Sequence, residues 1–322
     1  LPRVYDIVIK IISHSDGHVD LHMLNNFLTT YQKTTELTLG ELWAIPIMLR
    51  LALLENLRRV ATRIAIDSMD ADLARQWADK IIETIEQEPA KLILTLADMA
   101  RSNPPLESAF VAEFNRKLQW KGTSHALPLS WVEQRLSENN LSINALVLAE
   151  NQKQAADQVS ITNSINSLRL LAKLDWRDFV ESISLVDLTL REDLDGIYSS
   201  MDFFTRDDYR HHVETISKHS KLSERDVARI AINLAKENGG EANLDKRYRH
   251  VGYFLIGKGR GMTEKFAKIK LTFKETVIKS FSQSKATLYF LGMAIITLGL
   301  SAWFIYQSEL TWSQPLLLIA LS

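Results

Sequence analysis

The sequence predicts an all-α protein, in which a multi-helix cytoplasmic body is followed by a transmembrane helix and by the start of a second one. Apolar residues in 1–257 recur at the spacing of helices, and no run alternates convincingly as a strand would. Residues 286–306 carry no charge over 21 positions, about the number that a helix needs to cross the hydrocarbon core of a bilayer. The segment before that run is strongly basic. These three observations define the predicted fold class.

The body, residues 1–257, carries repeated helix-start signals. Thr38 and Glu41 have the spacing of a capping box, in which each side chain binds a backbone amide at the helix start. Four further residues precede periodic segments and are predicted N-caps: Asp20, Asp70, Thr205 and Ser223. The pattern predicts about ten helices. A soft subdivision is predicted near 123–140, where the periodicity is interrupted.

Residues 42–57 are apolar enough to be mistaken for a membrane segment. They contain Arg50 and Glu55, and a charge within the hydrocarbon core is costly. A central core helix of the body is therefore the better interpretation. Pro46 lies one turn inside this helix and predicts a kink or an irregular start.

A basic neck, residues 258–285, joins the body to the apolar run. Its eight cations are Lys258, Arg260, Lys265, Lys268, Lys270, Lys274, Lys279 and Lys285. Only Glu264 and Glu275 oppose them, so the neck has a net charge of +6, whereas the body carries −6 and the whole chain −1. Lys and Arg accumulate on the cytoplasmic side of membrane helices. We therefore predict that residues 1–285 are cytoplasmic.

The neck also has an amphipathic pattern. Apolar residues recur at helical spacing from Phe266 onward, at Phe266, Ile269, Phe273, Val277 and Phe281. Such a helix could lie on an anionic membrane surface, or it could be a solvated linker whose phenylalanines pack on the body. On the first interpretation, the predicted membrane-surface contacts are Lys265, Phe266, Lys268, Ile269, Phe273, Lys274 and Lys285.

A short polar turn follows the apolar run, and a second run begins at Pro315. We read 315–322 as the start of a truncated second transmembrane helix. The chain begins with Leu1 rather than methionine and has no signal peptide, so we expect a fragment of a larger protein.

The composition excludes several classes of protein. With 46% apolar residues the chain is too hydrophobic for a disordered protein. The absence of cysteine excludes a disulfide scaffold, a thiolate metal site and a cysteine nucleophile. Because the basic neck directly precedes the predicted transmembrane helix and accounts for its orientation, no nucleic-acid partner is predicted.

Candidate chemical motifs all have simpler interpretations. His14, His18 and His22 are spaced for a metal site on one helix, but Gly17 and Asp20 interrupt any such helix, so a polar loop is favoured. Asp70 and Asp72 copy the Asp-x-Asp of many glycosyltransferases without the strand that such a site needs.

Two motifs in the second half are interpreted in the same way. The glycine-rich segment 257–261 lacks the Gly-Lys-Ser/Thr of a phosphate loop and is predicted to be a flexible hinge. His211 and His212 are assigned to an exposed helix face. No catalytic or metal-binding residue is therefore predicted, and cofactor-binding residues remain unassigned.

Four stretches resemble one family. They are TLGELWAIPIMLRLALLENLRRVATRI (38–64), SLRLLAKLDWRDFVESISLVDLTLRED (167–193), GIYSSMDFFTRDDYRHHVETISKHSKLSERDVARIAINLA (196–235) and RYRHVGYFLIGKGR (247–260). They resemble the cytoplasmic region that precedes the first membrane helices of bacterial cyclic β-1,2-glucan synthases. The resemblance covers nearly the whole chain, and the segments 41–59 and 201–210 are its most specific parts.

The resemblance implies a processive inner-membrane glycosyltransferase in the full-length form. Such an enzyme makes cyclic β-1,2-glucan from UDP-glucose as donor, with a divalent metal, neither of which is expected to bind in this segment. The expected Gln-x-x-Arg-Trp motif is absent from the chain, and Trp120, Trp131 and Trp176 lack its context. The implied partners are membrane lipids and the downstream glycosyltransferase and phosphorylase-like domains, at the bacterial inner membrane.

Two functions follow as predictions. The first is a non-catalytic, helical, membrane-anchoring part of a cyclic β-1,2-glucan synthase. The second is a membrane-tethered helical interaction or regulatory module with no enzymatic partner domain. On either interpretation the 322-residue segment itself is predicted not to be an enzyme.

Overall fold

The computed structural model describes residues 3–119, 126–239, 246–270 and 285–307. All regular structure in these ranges is helical, which confirms the predicted all-α class. Packing divides the chain into unit 1, Leu1–Arg191, and unit 2, Glu192–Ser322. The soft subdivision predicted near 123–140 lies within unit 1, and the limits predicted at 257 and 285 stay predictions.

Unit 1 is organised around two long helices, α3 and α7. Its helices are α1 (Arg3–His14), α2 (Leu21–Gln32), α3 (Leu39–Gln87), α4 (Leu92–Ser102), α5 (Ser108–Leu118), α6 (Ala126–Ser137), α7 (Ile143–Lys173), α8 (Trp176–Ile183) and α9 (Leu185–Leu190). A short 3-10 turn, Pro89–Lys91, precedes α4.

Helix α3 is continuous over 49 residues. The predicted capping box is confirmed at its start, where the Thr38 side chain accepts from the Glu41 amide and Glu41 accepts from the Thr38 amide. Pro46 lies inside the helix without ending it. The prediction that Asp70 is an N-cap was wrong, because residues 61–73 contain no glycine or proline and α3 runs through them unbroken.

Two apolar cores lie toward the two ends of α3. The first joins α1, α2, the start of α3 and α8, and its buried members include Val8, Leu24, Leu49, Leu53 and Phe179. The second joins the end of α3 to α4, α5 and α6, and its buried members include Ala78, Ile81, Phe110, Phe114 and Val132. The predicted core helix over 42–57 is therefore confirmed.

A polar seam connects α3 and α7 between the two cores. Lys153 Nζ donates to Asp67 Oδ1 at 2.6 Å, and Arg63 Nε donates to Asp157 Oδ2 at 3.2 Å. About two turns further along α3, the Asn56 amide donates to two serine hydroxyls, those of Ser160 and Ser164, at 3.0 Å each. Because each of these groups needs its own partner, the seam opposes sliding of one helix along the other.

The loop between α1 and α2 docks on α7. Gly17 has a φ of +78°, and a Cβ at this position would overlap the Ser164 hydroxyl, so glycine fits here as other residues would not. Asp20 accepts from the Met23 amide at 2.8 Å and is the predicted N-cap of α2. Since this loop interrupts the helix, the metal site considered for His14, His18 and His22 does not form.

The described helices of unit 2 are all shorter than α3 and α7. They are α10 (Ile197–Ser200), α11 (Phe203–Lys218), α12 (Glu224–Gly239), α13 (Val251–Leu255), α14 (Arg260–Phe266) and α15 (Lys285–Gln307). Ser223 directly precedes α12 and its hydroxyl accepts from the Asp226 amide at 3.2 Å, as predicted for an N-cap. Thr205 is not an N-cap, because Asp202 caps α11 and accepts from the Phe204 and Thr205 amides.

The amphipathic helix predicted from Phe266 onward does not begin there. Helix α14 ends at Phe266, and Lys268 adopts a left-handed conformation with φ +51°. The Lys268 amide donates to Lys265 O at 3.1 Å and the Ile269 amide donates to Glu264 O at 3.3 Å, the two bonds of a Schellman motif. Of the other predicted surface contacts, Phe273 and Lys274 lie outside the described residues.

Helix α15 covers the apolar run predicted to cross the membrane. Within the described ranges, however, no helix combines enough length with enough apolar character to span a bilayer. The run is thus confirmed as a helix but not as a span, and 315–322 lies outside the described residues.

Candidate functional site

Three polar side chains of unit 2 form a hydrogen-bonded chain, which we call the brace: Asp193, His250 and Tyr209. Asp193 Oδ2 lies 3.0 Å from His250 Nδ1, and the other ring nitrogen, Nε2, lies 3.0 Å from the Tyr209 hydroxyl. Asp193 Oδ1 accepts from the Val251 amide at 3.1 Å. The brace therefore ties the segment after unit 1 to α11 and to the start of α13.

The brace is closed to solvent at its tyrosine end. Gly252 lies against Tyr209, and a Cβ at position 252 would overlap the tyrosine hydroxyl. Burial, with the nearby carboxylates of Asp193 and Asp208, raises the pKa of Tyr209, so its hydroxyl stays protonated and can donate. Although a carboxylate, an imidazole and a hydroxyl in series resemble a proton relay, this geometry is that of a structural connection.

Several side chains of the MDFFTRDDYR segment, 201–210, make contacts within unit 2. Asp202 caps α11, and the guanidinium of buried Arg210 lies 5.1 Å from the centre of the Phe203 ring. Arg210 also donates to Asp207 Oδ1 at 3.1 Å. Together with Tyr209 in the brace, these contacts account for several residue types of the segment by its own folding, but not for Phe204, which is 70% exposed.

His212 and Arg260 make a second contact between segments 196–235 and 247–260 of unit 2, the two that resemble the same family. Arg260 Nη1 lies 3.0 Å from His212 Nδ1. Since a guanidinium only donates, His212 Nδ1 must accept and carry no proton. Burial and the adjacent Arg260 charge lower the pKa of His212, while Asp208, 3.8 Å from Nε2, opposes this shift.

We expect acid to weaken unit 2 through His212. A folded pKa below the unfolded value of 6.5 means that the unfolded state binds the proton first, so the free energy of unfolding falls as the pH drops through that value. The slope from one proton is at most about 1.4 kcal/mol per pH unit. Chemical denaturation between about pH 7.5 and pH 5.5 measures it.

Two variants isolate this contribution. His212→Gln keeps an acceptor for Arg260 and removes the titration, so it should lose less stability on acidification than the wild type. His211→Gln, on the exposed neighbour, should follow the wild type. If the free energy of unfolding falls equally with pH in His212→Gln and in the wild type, His212 is not the group responsible.

A groove of about 820 Å³ in unit 1 is bounded by α3, α5 and α7. Its lining mixes apolar side chains such as Ile64 and Val147 with acids, amides and Arg116. The acids already have partners: Glu150 accepts from Ser108 Oγ at 2.7 Å, and Glu113 accepts from Arg116 at 2.6 Å. The Glu113 charge is therefore paired with that of Arg116, whereas Glu150 is hydrogen-bonded by the neutral groups of Ser108 and Gln154.

The described residues contain no group of three His, Asp or Glu side chains placed to hold a metal ion. The structure places four of the predicted membrane-surface residues at or just after the end of α14. Lys265, Phe266 and Lys268 are exposed at the end of α14, and Ile269 is half-buried just beyond it. Lys285 is the first residue of α15, so the structure does not bring it together with these residues on one helix.

Comparison with known proteins gives one informative match. The chain matches no protein-family model. It is similar to the cyclic beta-(1,2)-glucan synthase NdvB of Rhizobium meliloti (strain 1021), with 29% identity over 267 residues. Those residues make up 82% of this chain and 9% of the relative, so the chain spans less than a tenth of the length of that synthase.

Proposed function

We propose that this chain is the non-catalytic helical part that anchors a cyclic β-1,2-glucan synthase in a membrane. The observation that carries the proposal is the similarity to NdvB over 82% of the chain. The internal use of the polar groups in 201–210 and in the brace supports it, because these residues serve folding. The role of the chain is then to seat the synthase.

The anchor in this proposal is helix α15. Residues 286–306 are uncharged, and the basic neck before them favours residues 1–285 on the cytoplasmic side of a bacterial inner membrane. Tyr289 and Trp303 near the two ends of the run suit the membrane interfaces. Membrane lipids are therefore proposed partners.

The product of the full-length protein is proposed from the name of its relative, and the donor and metal are proposed from the family resemblance. The protein would transfer glucose from UDP-glucose to a growing β-1,2-glucan, with a divalent metal. The described residues offer no set of metal ligands, so neither donor nor metal is assigned to a residue of this chain. The proposed protein partners are glycosyltransferase and phosphorylase-like domains of the same polypeptide.

The size of the native polypeptide tests the association with a synthase. An antibody against the helical body should detect, in native membranes, a protein far larger than the 36.7 kDa of this chain. Purified chain 1–322 should not turn over UDP-glucose. A native band near 36.7 kDa would favour the tethered module without an enzymatic domain, and turnover by 1–322 would contradict a non-catalytic role.

A charge at the centre of α15 tests the anchor. Ile296 lies at the midpoint of 286–306, and an arginine there should disfavour insertion by about 2.5–3.5 kcal/mol. Expressed Ile296→Arg should therefore be extracted from membranes by alkaline carbonate, while the wild type stays in the pellet.

The matched control places the same charge at the edge of the run. Tyr289→Arg should remain in the pellet, because an arginine near the end of a span reaches the headgroups. If both variants behave like the wild type, α15 does not cross the membrane as an isolated span.

A further inference from the structure

Helix α14 has polar side chains on its inner side. Thr263 is fully buried and donates to Phe254 O at 2.7 Å. Glu264 is buried and accepts from Arg260 Nε at 2.9 Å, and Arg260 also contacts His212. Ala267, just after the helix, is buried as well. These contacts fix the orientation of α14 on unit 2.

The outer side of α14 presents large apolar side chains. Met262 is 42% exposed and Phe266 is 58% exposed. They are four residues apart and therefore share one face of the helix, with exposed Lys265 beside them. This is the reverse of an ordinary surface helix, which buries its apolar face. The outer face of α14 is thus suited to contact an apolar layer.

Cations surround these two apolar side chains along the chain. Residues 246–270 contain eight Lys or Arg and a single acid, the buried Glu264. Four of the lysines are exposed: Lys258, Lys265, Lys268 and Lys270. Within the described part of the chain none of these four makes a salt bridge. Their charge is therefore available to an anionic surface.

We propose that the outer face of α14 and the turn after it form a docking surface for an anionic phospholipid layer, with Met262 and Phe266 entering the interface and the four lysines contacting headgroups. Charge complementarity favours lipid, since lysines near an anionic leaflet attract it. Apolar α15 begins 15 residues after Lys270, a separation of at most about 50 Å. The proposal rests on the proposed function, in which α15 holds the chain at a membrane.

The absence of cysteine allows a direct test on the full chain. Single cysteines replace Met262 or Phe266 and carry an environment-sensitive fluorophore. Asn233→Cys, on an exposed position of α12, is the matched control in unit 2. The labelled proteins are reconstituted into phosphatidylcholine vesicles with and without phosphatidylglycerol, and nitroxide lipids are added as quenchers.

With phosphatidylglycerol present, labels at 262 and 266 should shift to the blue and be quenched by the nitroxide lipids, whereas the label at 233 should not. The double reversal Lys265→Glu and Lys268→Glu, on exposed positions, should abolish both effects at 262. If the labels at 262 and 266 report the same aqueous environment as the label at 233, the proposal is overturned. A blue shift without lipid quenching, equal in both vesicle types, would also overturn it and indicate a protein partner.

Flotation of the same vesicles separates this proposal from the proposed anchor. In vesicles of phosphatidylcholine alone, which offer the four lysines no anionic lipid, the chain should float only if α15 inserts, so a failure to float there means that the anchor is wrong. If the chain floats but the labels at 262 and 266 stay in water, only the docking surface is wrong. Thermal unfolding of each labelled variant confirms that α14 is still folded.

Discussion

Replacement of Asp193 by alanine should destabilise unit 2 by about 3–5 kcal/mol. The Asp193 side chain is 0% exposed, and its two oxygens accept from His250 Nδ1 and from the Val251 amide. Removing the carboxylate leaves both donors without their acceptor in a buried site. The loss should appear as faster amide hydrogen exchange in α11 and α13.

Two controls separate burial of the carboxylate from its charge. Asp193→Asn retains one acceptor and should cost less than the alanine variant. Asp195→Ala removes an acid two residues away, whose partner Arg249 is exposed, and should cost no more than about 1 kcal/mol. Equal losses for Asp193→Ala and Asp195→Ala would contradict a structural role for the brace.

Replacement of Phe110 by alanine should destabilise unit 1 by about 3–5 kcal/mol. Phe110 is 0% exposed in the second core and stacks on Phe114 with ring centres 5.7 Å apart. The substitution leaves a cavity and removes the ring pair, and both effects weaken the contact of α5 with the end of α3. Denaturant titration, with hydrogen exchange of α5, measures the loss.

Ile93→Ala is the matched control in the same unit. Ile93 is 72% exposed at the start of α4, so its truncation should change the free energy of unfolding by no more than about 0.5 kcal/mol. A loss for Phe110→Ala as small as that for Ile93→Ala would mean that the second core is not packed as described.

Signals that act within one turn of helix were readable from the sequence. The capping box of Thr38 and Glu41, the cap at Asp20 and the cap at Ser223 are all confirmed, because each needs only a neighbouring amide. Helix periodicity identified the all-α class for the same reason, since it records which side of each helix is buried.

Predictions failed where a local signal competed with a stronger one. Asp70 has the residue type of a cap, but the helix-forming residues around it keep α3 unbroken. Thr205 also has the residue type of a cap, but Asp202, three residues earlier, accepts the bonds from the helix start. The periodicity from Phe266 onward predicted a helix start, but the Schellman motif at Lys268 ends one there.

The brace could not be predicted from the sequence. Asp193 and His250 are far apart in the chain, and neither is preceded or followed by a motif that indicates its partner. The only indication was that Asp193, Tyr209 and His250 lie in three stretches that resemble the same family.

The unbroken course of α3 has a consequence for insertions and deletions. One rod of about 74 Å carries both apolar cores of unit 1, and each residue added to it turns everything beyond by about 100° and advances it by about 1.5 Å. A single-residue insertion in the exposed stretch 61–73 would therefore put the two cores out of phase with one another. Apart from Arg63 and Asp67, which belong to the polar seam, substitutions in this stretch should cost little, whereas changes of its length should not be tolerated.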